Sequence, residues 1–90
     1  MQRIHLIVHG IVQGVGFRRF ALREAKRFDL TGWVRNLPDG SVEIEAQGES
    51  ENLERFSSWV RRGAPTGKVD HVEENFLDVA KEEEGFAIIG

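Results

Sequence analysis

The sequence predicts an α+β fold in which an antiparallel sheet carries two helices on one of its faces. Three observations predict it. Apolar residues alternate with others at period two around residues 4–8 and 42–46, and two charged stretches carry apolar residues at helical spacing. The elements then succeed one another as β, α, β, β, α, β, with a short apolar stretch left at the end.

In the first strand, residues 3–9, Ile4, Leu6 and Val8 lie on one side and His5, Ile7 and His9 on the other, and the pattern stops at Gly10. Glycines at 10, 14 and 16 precede a helix expected over about residues 17–28, whose apolar positions are Phe17, Phe20, Ala21, Ala25 and Phe28. Lys26 and Arg27 in its last turn complement the negative end of the helix dipole. Gly32-Trp33-Val34-Arg35-Asn36 reads as a short strand, and Pro38-Asp39-Gly40 as a turn that reverses the chain. Residues 41–47 alternate again, which turns Val42, Ile44 and Ala46 to the core and Ser41, Glu43, Glu45 and Gln47 to water.

Ser50 is read as the cap of a second helix, acidic in its first turn at Glu51 and Glu54, with Leu53, Phe56 and Val60 as the buried stripe. Arg61, Arg62 and Gly63 mark its end. After a loop over residues 64–67, residues 69–79 read as extended, residues 82–84 as a solvated glutamate turn, and residues 86–89 as a closing strand. This order is that of a ferredoxin-like split βαβ sandwich: a four- to five-stranded antiparallel sheet, two helices on one face, and the other face open to solvent. Residues 1–90 are expected to form one domain.

Composition narrows the function. Without cysteine there is no disulfide, thiolate nucleophile or cysteine-held metal. No run approaches the roughly 18 apolar residues of a membrane span, and Met1-Gln2-Arg3 leads into a strand without the pattern of a signal peptide, so a cytoplasmic protein without membrane partners is expected. A net charge of −3 disfavours nucleic acid as a partner, although Arg18, Arg19, Arg23, Lys26 and Arg27 crowd one segment and leave room for a local positive pocket.

The chemistry is read from Gly10-Ile11-Val12-Gln13-Gly14-Val15-Gly16-Phe17-Arg18. A strand ends, glycines release the backbone, and a helix opens with an arginine. Successive N–H groups in such a turn converge as a nest, the helix start adds partial positive charge, and Arg18 offers a planar fork of donors, all of which suit an oxyanion. A dinucleotide fingerprint does not fit, because the third glycine and a second βαβ unit are missing. Residues 63–68 lack both the spacing and the hydroxyl residue of a phosphate-binding Walker A loop. Glycine spacing alone leaves an ordinary strand-to-helix connection open.

That run, followed by Gly32-Trp33-Val34-Arg35-Asn36 and by Asp39-Gly40-x-Val42-Glu43, resembles the paired signature of the acylphosphatase family. The likeness continues through Gly48-Glu49, Ala64-Pro65 and Val69-Asp70-x-Val72. The resemblance implies a metal-independent hydrolase without cofactors, acting as a monomer on small-molecule acyl phosphates and releasing inorganic phosphate. It assigns phosphate binding to Arg18 and to the main-chain N–H groups of Gln13, Gly14, Val15, Gly16, Phe17 and Arg18, and placement of the attacking water to Asn36. The ending Ile88-Ile89-Gly90 departs from the polar or aromatic ending of the family pattern and bears on how that end is anchored.

The remaining chemically capable residues are read as structural. His5 and His9, four apart on one strand, stand roughly 13 Å from each other, too far to share a metal, and are taken with His71 as surface or structural residues. Arg35 and Trp33 face away from Asn36 on their strand, Asp39-Gly40 is turn chemistry, and Phe17, Phe20, Phe28, Phe56 and Trp59 pack the core. The alternative is a non-catalytic anion- or nucleic-acid-binding module of the same architecture.

Overall fold

The computed structural model describes residues 1–81 and 83–90. Strands β1 (Gln2–Ile11), β2 (Thr31–Asn36), β3 (Val42–Gly48), β4 (Lys68–Leu77) and β5 (Phe86–Ile88) form a sheet in the order β4-β1-β3-β2-β5. Helices α1 (Phe17–Arg27) and α2 (Ser50–Arg62) supply the two crossovers. Period-two alternation becomes a packed layer through the register: Ile4, Leu6 and Val8 of β1 stand opposite Ala46, Ile44 and Val42 of β3, and Val34 of β2 opposite Ile44. These side chains join Phe17, Phe20, Leu53, Phe56 and Val60 of the helices in one core, so both helices cover the same sheet face.

The strand and helix bounds follow the sequence reading closely, with informative differences. The first strand does not stop at Gly10 but runs to Ile11, and its pairing with β4 slips between His9 and Gly10. Gly10 sits there at φ 133°, where a Cβ would lie 2.2 Å from the Lys68 carbonyl oxygen, so no side chain fits between the strands. Ser50 does not cap α2; it is the first helical residue, Glu49 holds the cap position, and no side-chain cap bond forms. The closing strand is real, and it lies parallel to β2, so the sheet is mixed. The reason is topological: β4 runs antiparallel to β1, and a single reversal after it leaves β5 running with β1 and β2.

That reversal crosses the sheet end where β1 and β2 begin and β3 finishes, and it explains which polar residues are buried. Arg3 is only 5% exposed, and its guanidinium donates to Glu45 at 2.8 Å, to Gln47 at 3.3 Å and, through two nitrogens, to Glu83 at 2.7 and 3.1 Å. Gln47 exchanges two hydrogen bonds with the main chain of Ala80, at 2.7 and 3.0 Å. The expectation that Gln47 faces water is therefore wrong, because the crossing segment covers it. Nor is Glu83 part of a solvated turn: the Arg3 hydrogen bonds hold its carboxyl below the usual carboxylate range against the opposing effect of burial. Glu82, part of that expected turn, lies outside the described residues, and Glu84 is exposed.

Candidate active site

The sheet directions bring four segments to the other end of the molecule. β1 and β2 finish there, so the 12–16 loop and the 37–41 turn meet; α2 finishes there, which adds the 63–67 loop, and β5 delivers Gly90. The residues predicted to do chemistry lie on or directly beside these segments: Gln13, Gly14, Val15 and Gly16 in the loop, Phe17 and Arg18 at the start of α1, and Asn36 at the end of β2.

The glycine loop is held at both ends by buried side chains, Val12 and Phe17, each 1% exposed. Gly14 and Gly16 adopt φ 75° and 77°, a left-handed conformation costly for any residue with a Cβ, and both face open space. Gly16 holds the cap position of α1 without a side-chain cap, and the first intrahelical bond runs from Phe20 N–H to the Gly16 carbonyl at 3.0 Å. The N–H groups of Phe17, Arg18 and Arg19 therefore precede the helical ladder, and the first turn holds no acidic residue to compete with an anion.

Neighbouring segments fix the loop's shape. The Gln13 side chain donates to the carbonyls of Leu37 and Ser41, both at 2.8 Å, and ties the loop to the turn that follows Asn36. Thr66 donates to the Val15 carbonyl at 2.7 Å, and Gly67 packs so tightly beneath that a Cβ would stand 2.6 Å from the Ile11 carbonyl oxygen. Ser41, expected to face water, is 2% exposed, because its carbonyl serves Gln13 and its hydroxyl and N–H donate to Asp39 at 2.5 and 2.9 Å. Those Ser41 bonds lower the Asp39 carboxyl below its ordinary range, in keeping with its place as a brace of the turn.

Arg18 and Asn36 converge on one atom. The Arg18 guanidinium donates through Nη1 to the main-chain oxygen of Gly90, which also accepts the Asn36 N–H at 3.4 Å. The Ile89 N–H bonds the Val34 carbonyl at 2.9 Å, so the Ile88-Ile89-Gly90 ending is anchored beside the site by its main chain despite its unusual side chains. Asn36 Oδ1 is buried and has no hydrogen-bond partner among the described residues. A buried acceptor left unpaired costs stability, so it marks a place where a ligand group or water belongs.

Other candidates fall away from this centre. Arg35 bonds Glu43 at 2.6 Å and lies over the Trp33 ring on the open sheet face, as their strand positions predicted. Phe17, Phe20 and Phe56 are core residues, with Phe28 and Trp59 packed against them. A cavity of 310 Å³ lies at the opposite end, between α2 and the β1–β4 strands, and is lined by Ile4, Leu53, Glu54, Arg61, Glu74 and Phe76, among others. It shares no residue with the loop, and its two carboxylates would oppose an anion.

Comparison with known proteins agrees with this geometry. The acylphosphatase family model matches residues 4–88. A curated acylphosphatase from Methylococcus capsulatus is 44% identical over 89 residues, covering 99% of this chain and 97% of the relative. The chain belongs to the acylphosphatase family. The crystal structure of the acylphosphatase from Bacillus subtilis superposes with a TM-score of 0.96 at 39% identity, over the full length of both chains. The same architecture forms a small part of a larger protein: HypF of T. kodakarensis matches all of this chain over 12% of its own length, with a TM-score of 0.85 and 33% identity. The ferredoxin-like α+β fold expected from the element order is the fold observed.

Two contributors were not legible beforehand. The Gln13 side chain joins its own N–H group here, and a glutamine in a glycine-rich loop has the reach to brace a neighbouring turn. The Gly90 carbonyl carries no sequence signal, since any residue could supply it.

Proposed function

We propose that residues 1–90 act as one catalytic domain that hydrolyses acyl phosphates to a carboxylate and inorganic phosphate, by direct attack of water on phosphorus. Arg18 and the main-chain N–H groups of Gln13, Gly14, Val15, Gly16, Phe17 and Arg18 bind the phosphoryl oxygens, and Asn36 orients the water. What supports this reading is the buried Asn36 Oδ1, without a partner among the described residues, on a residue whose main-chain N–H shares the Gly90 oxygen with Arg18.

The chemistry asks little of acid catalysis, because the leaving group is already a stable carboxylate. What remains is alignment and charge. In phosphoryl transfer the entering and departing oxygens lie roughly in line while negative charge spreads over three equatorial oxygens. N–H donors fixed by glycine geometry and by the Gln13 and Thr66 braces meet those oxygens without reorganising, and Arg18 adds a full positive charge. An asparagine cannot take up a proton at neutral pH, but Oδ1 accepts a hydrogen bond from water and fixes its line of approach. The water proton passes to a phosphoryl oxygen as the P–O bond to the acyl group breaks.

The reading includes a monomer that needs neither nucleic acid nor a metal for hydrolysis. Support comes from the open sheet face, where Glu45 engages Arg3 and Glu43 engages Arg35, so that these two cations are already occupied by carboxylates and not offered to a nucleic-acid backbone. No described helix is long and apolar enough to cross a membrane. Hydrolysis of benzoyl phosphate by the purified chain, followed by absorbance with a chelator present, tests the proposal. Turnover above the spontaneous rate is expected; none, or turnover abolished by the chelator, would overturn it.

A further inference from the structure

The open sheet face brings together two histidines that the sequence separates by 62 positions. His9 of β1 and His71 of β4 are direct cross-strand partners, and their imidazole rings stack in parallel, with centroids 4.2 Å apart and planes 9° from each other. Glu73 lies two residues beyond His71, on the same face, and its Oε2 meets His9 Nε2 at 2.6 Å. A ligand-bearing atom from each of the three side chains falls within 4.8 Å of the others. From this juxtaposition we propose that His9, His71 and Glu73 form a binding site for a borderline divalent transition ion such as Zn²⁺, distinct from the phosphate loop.

The donor chemistry selects the ion. Two imidazole nitrogens and one carboxylate oxygen are the preferred donors of Zn²⁺ and its neighbours, whereas Mg²⁺ and Ca²⁺ take oxygen ligands. Tetrahedral coordination at ~2.1 Å places donors roughly 3.4 Å apart, so side chains already within 4.8 Å need only small rotations to converge. His71 and Glu73 are exposed and free to make them, and solvent supplies a fourth ligand. Hydrogen-bonded pairing across β1 and β4 holds the two histidine backbones in place beforehand, up to the irregularity between His9 and Gly10.

The same face carries an internal contrast. His5 Nε2 meets Glu43 Oε2 at 2.7 Å, nearly the geometry of His9 and Glu73, but the third group is Arg35, which donates to Glu43 at 2.6 Å. A guanidinium cannot ligate a metal and repels one. The second imidazole is what separates a candidate site from an ordinary ion pair. From sequence His71 reads as a surface or structural residue; only the β1–β4 register gives it His9 as a partner.

Titration calorimetry of the full chain with ZnCl₂, in buffer free of phosphate, tests the site. One Zn²⁺ per chain is expected, with MgCl₂ giving no comparable heat, and the ring resonances of His9 and His71 should move on Zn²⁺ addition while those of His5 stay. His71→Asn and Glu73→Gln should each weaken binding by about tenfold or more, and His5→Asn should leave it unchanged. Absence of Zn²⁺ heat in the unmodified chain would overturn the proposal. So would wild-type affinity in His71→Asn, or a response confined to His5. Both positions lie outside the core, and Glu73→Gln, which leaves the His9–His71 stack in place, keeps the test open if His71→Asn misfolds.

Discussion

The two ends of the sheet treat their polar groups in opposite ways. At the end crossed by the chain before β5, Arg3, Glu45, Gln47 and Glu83 satisfy one another, and Gln47 also bonds the main chain of Ala80. At the loop end, the α1 N-terminus, which like that of α2 lacks a side-chain cap, also has no acidic residue in its first turn, and Asn36 Oδ1 has no partner among the described residues. The first end uses buried polarity to hold a crossing in place. The second keeps donors and an acceptor open in a backbone fixed by Gln13, Thr66 and buried Val12 and Phe17, which is the preparation a binding site needs.

Mutations at the two ends should therefore divide cleanly between turnover and stability. The largest effect is expected from Asn36→Ala. Losing a preorganised group of this kind costs about 3 kcal/mol of transition-state stabilisation, a fall in kcat of roughly a hundredfold or more. Inorganic phosphate affinity should stay near wild type and Tm should not fall, since no protein hydrogen bond to Oδ1 is lost; benzoyl phosphate kinetics with calorimetry would check both. Wild-type turnover in this variant would remove Asn36 from the mechanism.

Arg18→Gln comes next. A lost charge-assisted hydrogen bond costs ~1.5–3 kcal/mol, so phosphate binding should weaken by roughly tenfold to a hundredfold, with turnover falling alongside it. Unlike Asn36→Ala, this change should appear in phosphate titrations of the free enzyme.

At the structural end, Glu83→Gln should leave turnover intact and cost stability. It takes a charged partner from the buried Arg3 and is expected to lower unfolding free energy by about 1–3 kcal/mol, with Tm falling ~4–8 °C for each. The linked pH effect is smaller and its sign is fixed. Folding holds the Glu83 carboxyl below the ordinary 4.5, chiefly through the Arg3 hydrogen bonds, so its contribution is fully present above that value and is lost as pH falls through the lower folded one. Denaturant midpoints measured downward from pH 5 should therefore drop more steeply for the wild type than for Glu83→Gln. Glu43 behaves in the same sense: burial raises its carboxyl, but the hydrogen bonds from His5 and Arg35 outweigh this and leave it low. Smallest of all, Arg35→Ala should change stability by about 1 kcal/mol or less and turnover not at all, because the Arg35 end of its pair with Glu43 is exposed and His5 still meets the Glu43 carboxylate.

Much of this was legible in residue order because it depends on near neighbours. Alternation at Val42, Ile44 and Ala46, helical spacing at Leu53, Phe56 and Val60, and the glycines flanking Val15 each state a local preference, and the structure realises all of them. Arg18 and Asn36 stood out through two separated motifs, and the fold brings them to a shared atom. Several errors fell on polar side chains at strand ends. Alternation assigned Ser41 and Gln47 to the solvent face, and nothing local announces the segments that cover them.

By itself, the sequence determined the elements, their order and the glycine loop proposed to receive an oxyanion, since strand period, helix period and glycine conformation act over a few residues. Only the tertiary structure decided which polar groups would be partnered. Arg3 finds Glu83 across 80 positions, Arg18 finds Gly90 across 72, and His9 stacks on His71 through the β1–β4 register. Such pairings depend on how strands lie beside one another and where a crossing passes, and those relations come into being only when the whole core closes.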